Sequence, residues 1–144
     1  LDWAPGCVTV HLIRHPARVI ASYAEKRGEM TLEDIGFSQQ LSLWQALPGP
    51  VVDSADIRLD PARALARLCA EVGMPWTDAM LSWPEGPKPY DGVWAPHWYN
   101  AVHRSTGFAG PEGPLPEVPE ERRALLDAAL PLYEAMRAEA LRFG

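Results

Sequence analysis

Arg14 carries the group best suited to chemistry in this chain. It closes the apolar run of residues 8–13, V-T-V-H-L-I, and stands just before His15-Pro16. A guanidinium presents a planar fork of donors that matches phosphate or carboxylate oxygens. Proline lacks a donor for a sheet ladder, but its fixed φ suits the first turn of a helix. A strand should therefore end, and a helix begin, at Arg14. In open α/β sheets ligands bind at the carboxyl ends of strands, where a helix N-terminus adds N–H groups. Arg14 is thus a candidate phosphate ligand; the competing reading is a structural ion pair with Asp53, Asp56 or Asp60. A second candidate is the run H-R-S-T-G-F at 103–108. There Arg104, two hydroxyls and Gly107 sit at an expected helix end, a turn able to wrap a phosphate. Its competing reading is a solvated cation at a helix C-terminus. Ser22 lies on the helix opened by Pro16, where a serine ordinarily faces solvent or bonds its own backbone.

Other chemistries have less support. His97 and His103 are the plausible titrating groups near neutrality, yet capping or hydrogen-bonded structural roles suit them better. The four histidines and two cysteines match no zinc spacing, so no metal is expected. No Ser/His/Asp or Cys/His arrangement with motif spacing occurs. Glu112, Glu117, Glu120 and Glu121 read as a solvated face and helix-start charge rather than an acid/base pair. No residue is assigned a catalytic role.

The elements that must position Arg14 follow from pattern. Residues 8–13 read as a buried parallel strand, with Cys7 in it, and Val19, Ile20, Tyr23 and Ala24 form one apolar helix stripe. Gly28 reads as that helix's stop. Thr31-Leu-Glu-Asp34 makes an approximate capping box opening a helix that runs to Pro48. Val51 and Val52 form a second strand ending near Asp53. Asp60-Pro61 opens a helix that closes at Gly73. Short helical turns are expected at 77–81 and 97–104, with proline-rich loop between them. Trp83, Trp94, Trp98 and Tyr99 read as a satellite core, or else as the wall of an acceptor pocket. Residues 109–119 are a Pro/Gly-rich connector, and 120–143 a C-terminal helix or kinked helix pair, since Pro131 falls inside. Only two strands are convincing, and a parallel pair needs further strands to cover its edges.

Strand, Arg-x-Pro, helix and Ser, as seen in residues 8–23, resemble the 3′-phosphate-binding segment of the sulfotransferase family. That family uses 3′-phosphoadenosine 5′-phosphosulfate (PAPS). The resemblance extends to residues 50–75, with their Asp-Pro helix start and Leu-Cys…Gly-x-Pro helix end. It continues to residues 81–108, which are similar to a bacterial branch of sulfotransferase-like P-loop proteins. It implies that Arg14 and Ser22, eight residues apart, hold the nucleotide's 3′-phosphate, joined by Arg104 and Gly107. The family's 5′-phosphosulfate loop lies upstream of these motifs, and no G-x-x-x-x-G-K-[ST] occurs here. Leu1 is not a methionine, and the chain reads as the C-terminal portion of a single domain over 1–144.

The expectation is an α/β chain, part of a three-layer P-loop-type domain with a mainly parallel sheet, few strands and many helices. By resemblance it would serve sulfuryl transfer from PAPS to a small-molecule hydroxyl or amine, supplying the 3′-phosphate-binding half. The alternatives are a non-catalytic nucleotide-binding or interaction remnant, or a relative of small-molecule P-loop kinases. A net charge of −6 argues against a general nucleic-acid surface. Two cysteines are too few for a disulfide framework and read as small buried hydrophobes in a reducing cytoplasm. No apolar run approaches the roughly 20 residues of a membrane span, and no signal-peptide pattern opens the chain.

Overall fold

Two short strands and the helices that follow them place the candidate residues. The computed structural model describes residues 4–25 and 27–143, apart from the side chains of Pro5, His97 and Trp98. After a 3₁₀ turn at Ala4–Gly6 come β1 (His11–Ile13) and β2 (Val51–Asp53), paired in parallel with His11 opposite Val51 and Ile13 opposite Asp53. The helices are α1 (Pro16–Ala24), α2 (Phe37–Ala46), α3 (Ser54–Leu59), α4 (Pro61–Val72), the single-turn α5 (Ala95–Trp98) and α6 (Asn100–His103), and α7 (Arg123–Ala138). Further 3₁₀ turns occupy Asp78–Leu81 and Glu120–Arg122. The chain is therefore α/β, with a two-stranded parallel sheet and many helices, as expected. Among the described residues no helix is long and apolar enough to cross a membrane.

The core forms where α7 crosses the sheet. Ala129, Tyr133 and Met136 recur at one face of α7 and, with Ala140 just beyond its end, pack on Ile13, Val51 and Phe37. A second cluster sets Ala17 and Ile20 of α1 against Val118, with Leu125 and Leu126 beside them. Pro131 lies inside α7 as a single helix. After Ala138 the chain turns back to the sheet: Ala140 bridges Val51, and Leu141 N–H donates to Val51 O at 2.9 Å.

Several local signals hold. Asp60 caps α4, its Oδ1 accepting from Arg63 N–H at 3.1 Å with Pro61 in the first turn, and Gly73 ends the helix at φ 71°. Others are corrected. The strand is shorter than its apolar run: Val8, Val10 and Leu12 are exposed, and Cys7 lies outside the strand and is exposed too. Apolarity alone did not separate the ladder from its approach. The Thr31/Asp34 box forms, with Thr31 N–H donating to Asp34 Oδ2 at 2.8 Å and Asp34 N–H to Thr31 Oγ1 at 3.2 Å. It closes a turn rather than a helix, because Gly36 takes φ 73° and α2 starts only at Phe37. Gly28 does not stop α1, which ends at Ala24 through Glu25.

Candidate functional site

Arg14 leaves the carboxyl end of β1, and its neighbour His15 shapes the start of α1. His15 Nδ1 accepts from Ala17 N–H at 3.2 Å, and His15 O accepts from the N–H groups of Arg18 and Val19 at 3.0 and 3.3 Å. Burial, and less strongly the Arg18 charge, push the imidazole below its ordinary 6.5 against the opposing pull of Asp53 and Glu134. A neutral ring suits the acceptor role. The first-turn donors of α1 are thus consumed within the helix, so side chains must do the anion holding that helix N–H groups were expected to share.

Three side chains do so. Arg14 Nη2 stands 2.6 Å and Arg58 Nη1 2.9 Å from Glu112 Oε1, while Arg18 Nε stands 3.0 Å from Oε2. The Glu112 side chain is 3% exposed, which corrects its reading as part of a solvated face. Arg14 does ion-pair, though with Glu112; Asp53 and Asp56 pair instead with Arg137, and Asp60 caps α4. Two of these arginines also hold the backbone of the connector. Arg58 Nε and Nη2 donate to Gly110 O at 2.9 and 2.6 Å. Arg18 Nη1 donates to Glu112 O at 3.3 Å, and its Nη2 to Gly113 O at 2.5 Å and Pro114 O at 3.2 Å. Residues 109–119 are therefore a strap, pinned across the sheet's carboxyl edge by guanidiniums from α1 and α3.

Beside the strap is a cleft of about 290 Å³. Arg14, Arg18 and Ser22 line it from the α1 side and Pro114 and Pro116 from the strap, with the Glu25 carboxylate also on its wall. The structure thus brings Arg14 and Ser22 into one cavity. Arg104 and Gly107 are not among its lining residues. They belong to a unit built on Trp83, which packs edge-to-face on Phe108 and donates through Nε1 to Ser105 Oγ at 2.9 Å. Gly107 bridges Ser82, and a Cβ there would come within 3.1 Å of Leu81 O. Arg104 is exposed. His103 Nε2 lies 2.8 Å from Asp91 Oδ2, a hydrogen-bonded structural position. The side chains of His97 and Trp98 lie outside the described residues, and Trp94 is exposed.

Sequence reasoning missed Arg18 and Arg58. Arg18 precedes Ser22 by four residues within α1, the spacing that puts two side chains on one helical face, and this signal was available. Arg58 carries none, since only the pairing of β2 with β1 brings α3 alongside.

The cluster has a pH signature. Burial opposes ionisation of Glu112, but the Arg14 hydrogen bond and the charges of Arg14, Arg18 and Arg58 together hold its carboxyl below the ordinary 4.5. A depressed folded value means the carboxylate's contribution to stability is complete above 4.5 and lost as pH falls through the lower folded value. Urea unfolding of the native chain and of Glu112→Gln should therefore show a stability gap that is constant from pH 7 to about 4.5 and narrows below it. Asp34 and Asp91, also held low by hydrogen bonds, titrate equally in both proteins and cancel. A gap that closed between pH 7 and 5 would contradict the assignment.

A family model described as "Sulfotransferase domain" matches residues 1–140. Among curated proteins, the chain is 36% identical over 132 residues to branched-chain-amino-acid aminotransferase-like protein 1 of Arabidopsis thaliana. It is 34% identical over 131 residues to the aminotransferase-like protein 2 of the same plant. Each match takes in 88% of this chain but only 24% and 23% of the relatives. The chain thus spans about a quarter of the length of the curated relatives it matches. No solved structure matches it.

Proposed function

This chain belongs to the sulfotransferase domain family, and on that premise we propose that it serves sulfuryl transfer from PAPS to a small-molecule hydroxyl or amine. In this reading the chain supplies the part of the site that holds the donor's 3′-phosphate. Arg14 and Ser22 are its anchors. The observation that carries the reading is their meeting in one cleft at the carboxyl end of a parallel strand, eight residues apart in sequence. The local chemistry fits an anionic group: Arg14 and Arg18 line the cleft, and Arg58 converges with them on the Glu112 carboxylate beside it. Arg104 and Gly107, on the Trp83 unit, are the proposed downstream arm.

The chemistry supplied by bound PAPS is a sulfuryl group whose bond to the phosphate oxygen breaks as one to the acceptor's oxygen or nitrogen forms. The described side chains would contribute holding and orientation, which accelerate such transfers by fixing the reactants in line. Charge stabilisation at the reacting sulfuryl group falls to residues beyond those assigned here.

Calorimetric titration with 3′-phosphoadenosine 5′-phosphate tests the reading. Losing a charge-assisted hydrogen-bond donor costs about 1.5–3 kcal/mol, so Arg14→Ala should weaken binding by about 10- to 150-fold. Ser22→Ala and Arg104→Ala should each weaken it less. Binding indifferent to Arg14→Ala in a folded protein would remove the assignment. Equal affinity for nucleotides with and without a 3′-phosphate would favour the kinase-like alternative.

A further inference from the structure

We propose that Arg18 and Arg58 complete, with Arg14, a receptor for a phosphate monoester dianion, and that Glu112 closes this receptor in the free protein and leaves it when the phosphate arrives. The proposal rests on the function proposed above and adds to it two ligand-binding arginines and an internal competitor.

Glu112 is a poor match for the cluster that holds it. Three guanidiniums face the one Glu112 carboxylate, and even with Glu25 on the cleft wall the cluster keeps an excess of positive charge. The geometry is equally uneven. Two of the arginines converge on the single oxygen Oε1. The other oxygen, Oε2, is buried and accepts no aligned hydrogen bond, although Arg18 Nε lies 3.0 Å away. A phosphate monoester near neutral pH carries close to two negative charges and three strong acceptor oxygens, one for each guanidinium. Charge and acceptor count thus both favour the monoester over the carboxylate.

The strap is built to be exchanged. It reaches the cluster through Gly110 and Gly113, the latter at φ 70°, and is fixed there by arginine-to-carbonyl bonds. It buries little besides the Glu112 side chain and Val118: Leu115 is exposed, as are Ala109, Gly110, Pro111, Gly113 and Pro114. Most of its attachment is to the same three guanidiniums a phosphate would claim. Pro114 and Pro116 already form one wall of the cleft whose other wall carries Arg14, Arg18 and Ser22. Withdrawal of the strap would join that cleft to the space Glu112 fills. Without Glu112 the three like charges would repel one another across α1 and α3, so the carboxylate also keeps the empty receptor assembled.

The test uses 3′-phosphoadenosine 5′-phosphate as probe. Glu112→Gln should bind it at least about 10-fold more tightly than the native chain, while Arg18→Ala and Arg58→Ala should bind it about 10-fold more weakly or worse. In the native chain, saturating probe should lower the backbone NMR order parameters of residues 109, 110, 112 and 113, the reverse of the stiffening expected from a ligand that settles onto a fixed strap. This second measurement decides the matter even if Glu112→Gln does not fold. Probe binding that is lost in Arg14→Ala, with the strap's order parameters unchanged or raised, would overturn the competitor role and leave the Arg14 assignment standing. Failure of both native and Glu112→Gln chains to bind would overturn both.

Discussion

Gly49→Ala should lower stability by about 3 kcal/mol or more, or prevent folding, because overpacking against atoms that cannot rotate away falls at the severe end of small-to-large substitutions. An ideal Cβ on Gly49 would lie 1.8 Å from Thr9 O and 3.0 Å from Thr9 C. Both are backbone atoms, so no rotamer change relieves the overlap. The contact sits where the two strands begin: Pro50 O, one residue on, accepts from His11 N–H at 2.8 Å and sets the register of the pair. Separating the chains there would wedge β1 from β2.

The consequence would reach the site. Arg14 follows β1 and Arg58 lies on α3, which starts directly after β2. A change in strand spacing moves these two guanidiniums relative to Glu112, so a Gly49→Ala protein that did fold should also hold the strap less well. Thermal unfolding checks the first effect, with a midpoint about 10 °C lower for a chain of this size. A midpoint within 2 °C or so of the native value would show that the strand entries stand further apart than described.

How much of this was legible before folding depends on the range over which each residue acts. Asp60-Pro61 and Gly73 act on their own turns, so their caps could be read directly. Arg14 could be placed because His15-Pro16 marks the strand's end within two residues. The strap could be recognised as Pro/Gly-rich but not given a purpose. Glu112 looks solvated among acidic neighbours, and nothing local says that arginines 54, 94 and 98 positions away would enclose it. Gly36 shows the opposite failure, a local signal outvoted by its neighbour. The Thr31/Asp34 box formed as its residue types required, but a left-handed glycine five residues later kept the turn from becoming a helix. The exposed Val8, Val10 and Leu12 show why an apolar run does not by itself define the ladder. Burial is decided by what packs against each residue, and that information lies elsewhere in the chain.

Asp53→Ala should cost about 3–5 kcal/mol, the range for breaking a buried charge network by removing one partner. Asp53 is 1% exposed and ends β2. Its Oδ2 accepts from the Tyr133 hydroxyl at 2.6 Å and lies 3.4 Å from Arg137 Nε, while its Oδ1 accepts from Ala55 N–H at 2.9 Å and caps α3. One carboxylate therefore ties the sheet edge to α7 across 80 residues and starts the helix that carries Arg58. Truncation leaves a buried phenol without its acceptor, an α3 without its cap and an Arg137 with Asp56 alone. Tyr133→Phe removes a single bond and should cost only about 1–2 kcal/mol. Burial first, and then the bond to Asp53, raise the Tyr133 phenol above its ordinary value of 10.0. A raised folded value places that group's stability below pH 10 and removes it as pH climbs further, a loss the Tyr133→Phe protein should lack. Urea unfolding of the native chain and both variants across pH 7–11 reads all three effects. If Asp53→Ala cost no more than Tyr133→Phe, the carboxylate would hold the tyrosine and nothing else, and the ordering of Arg58 through the α3 cap would fail with it.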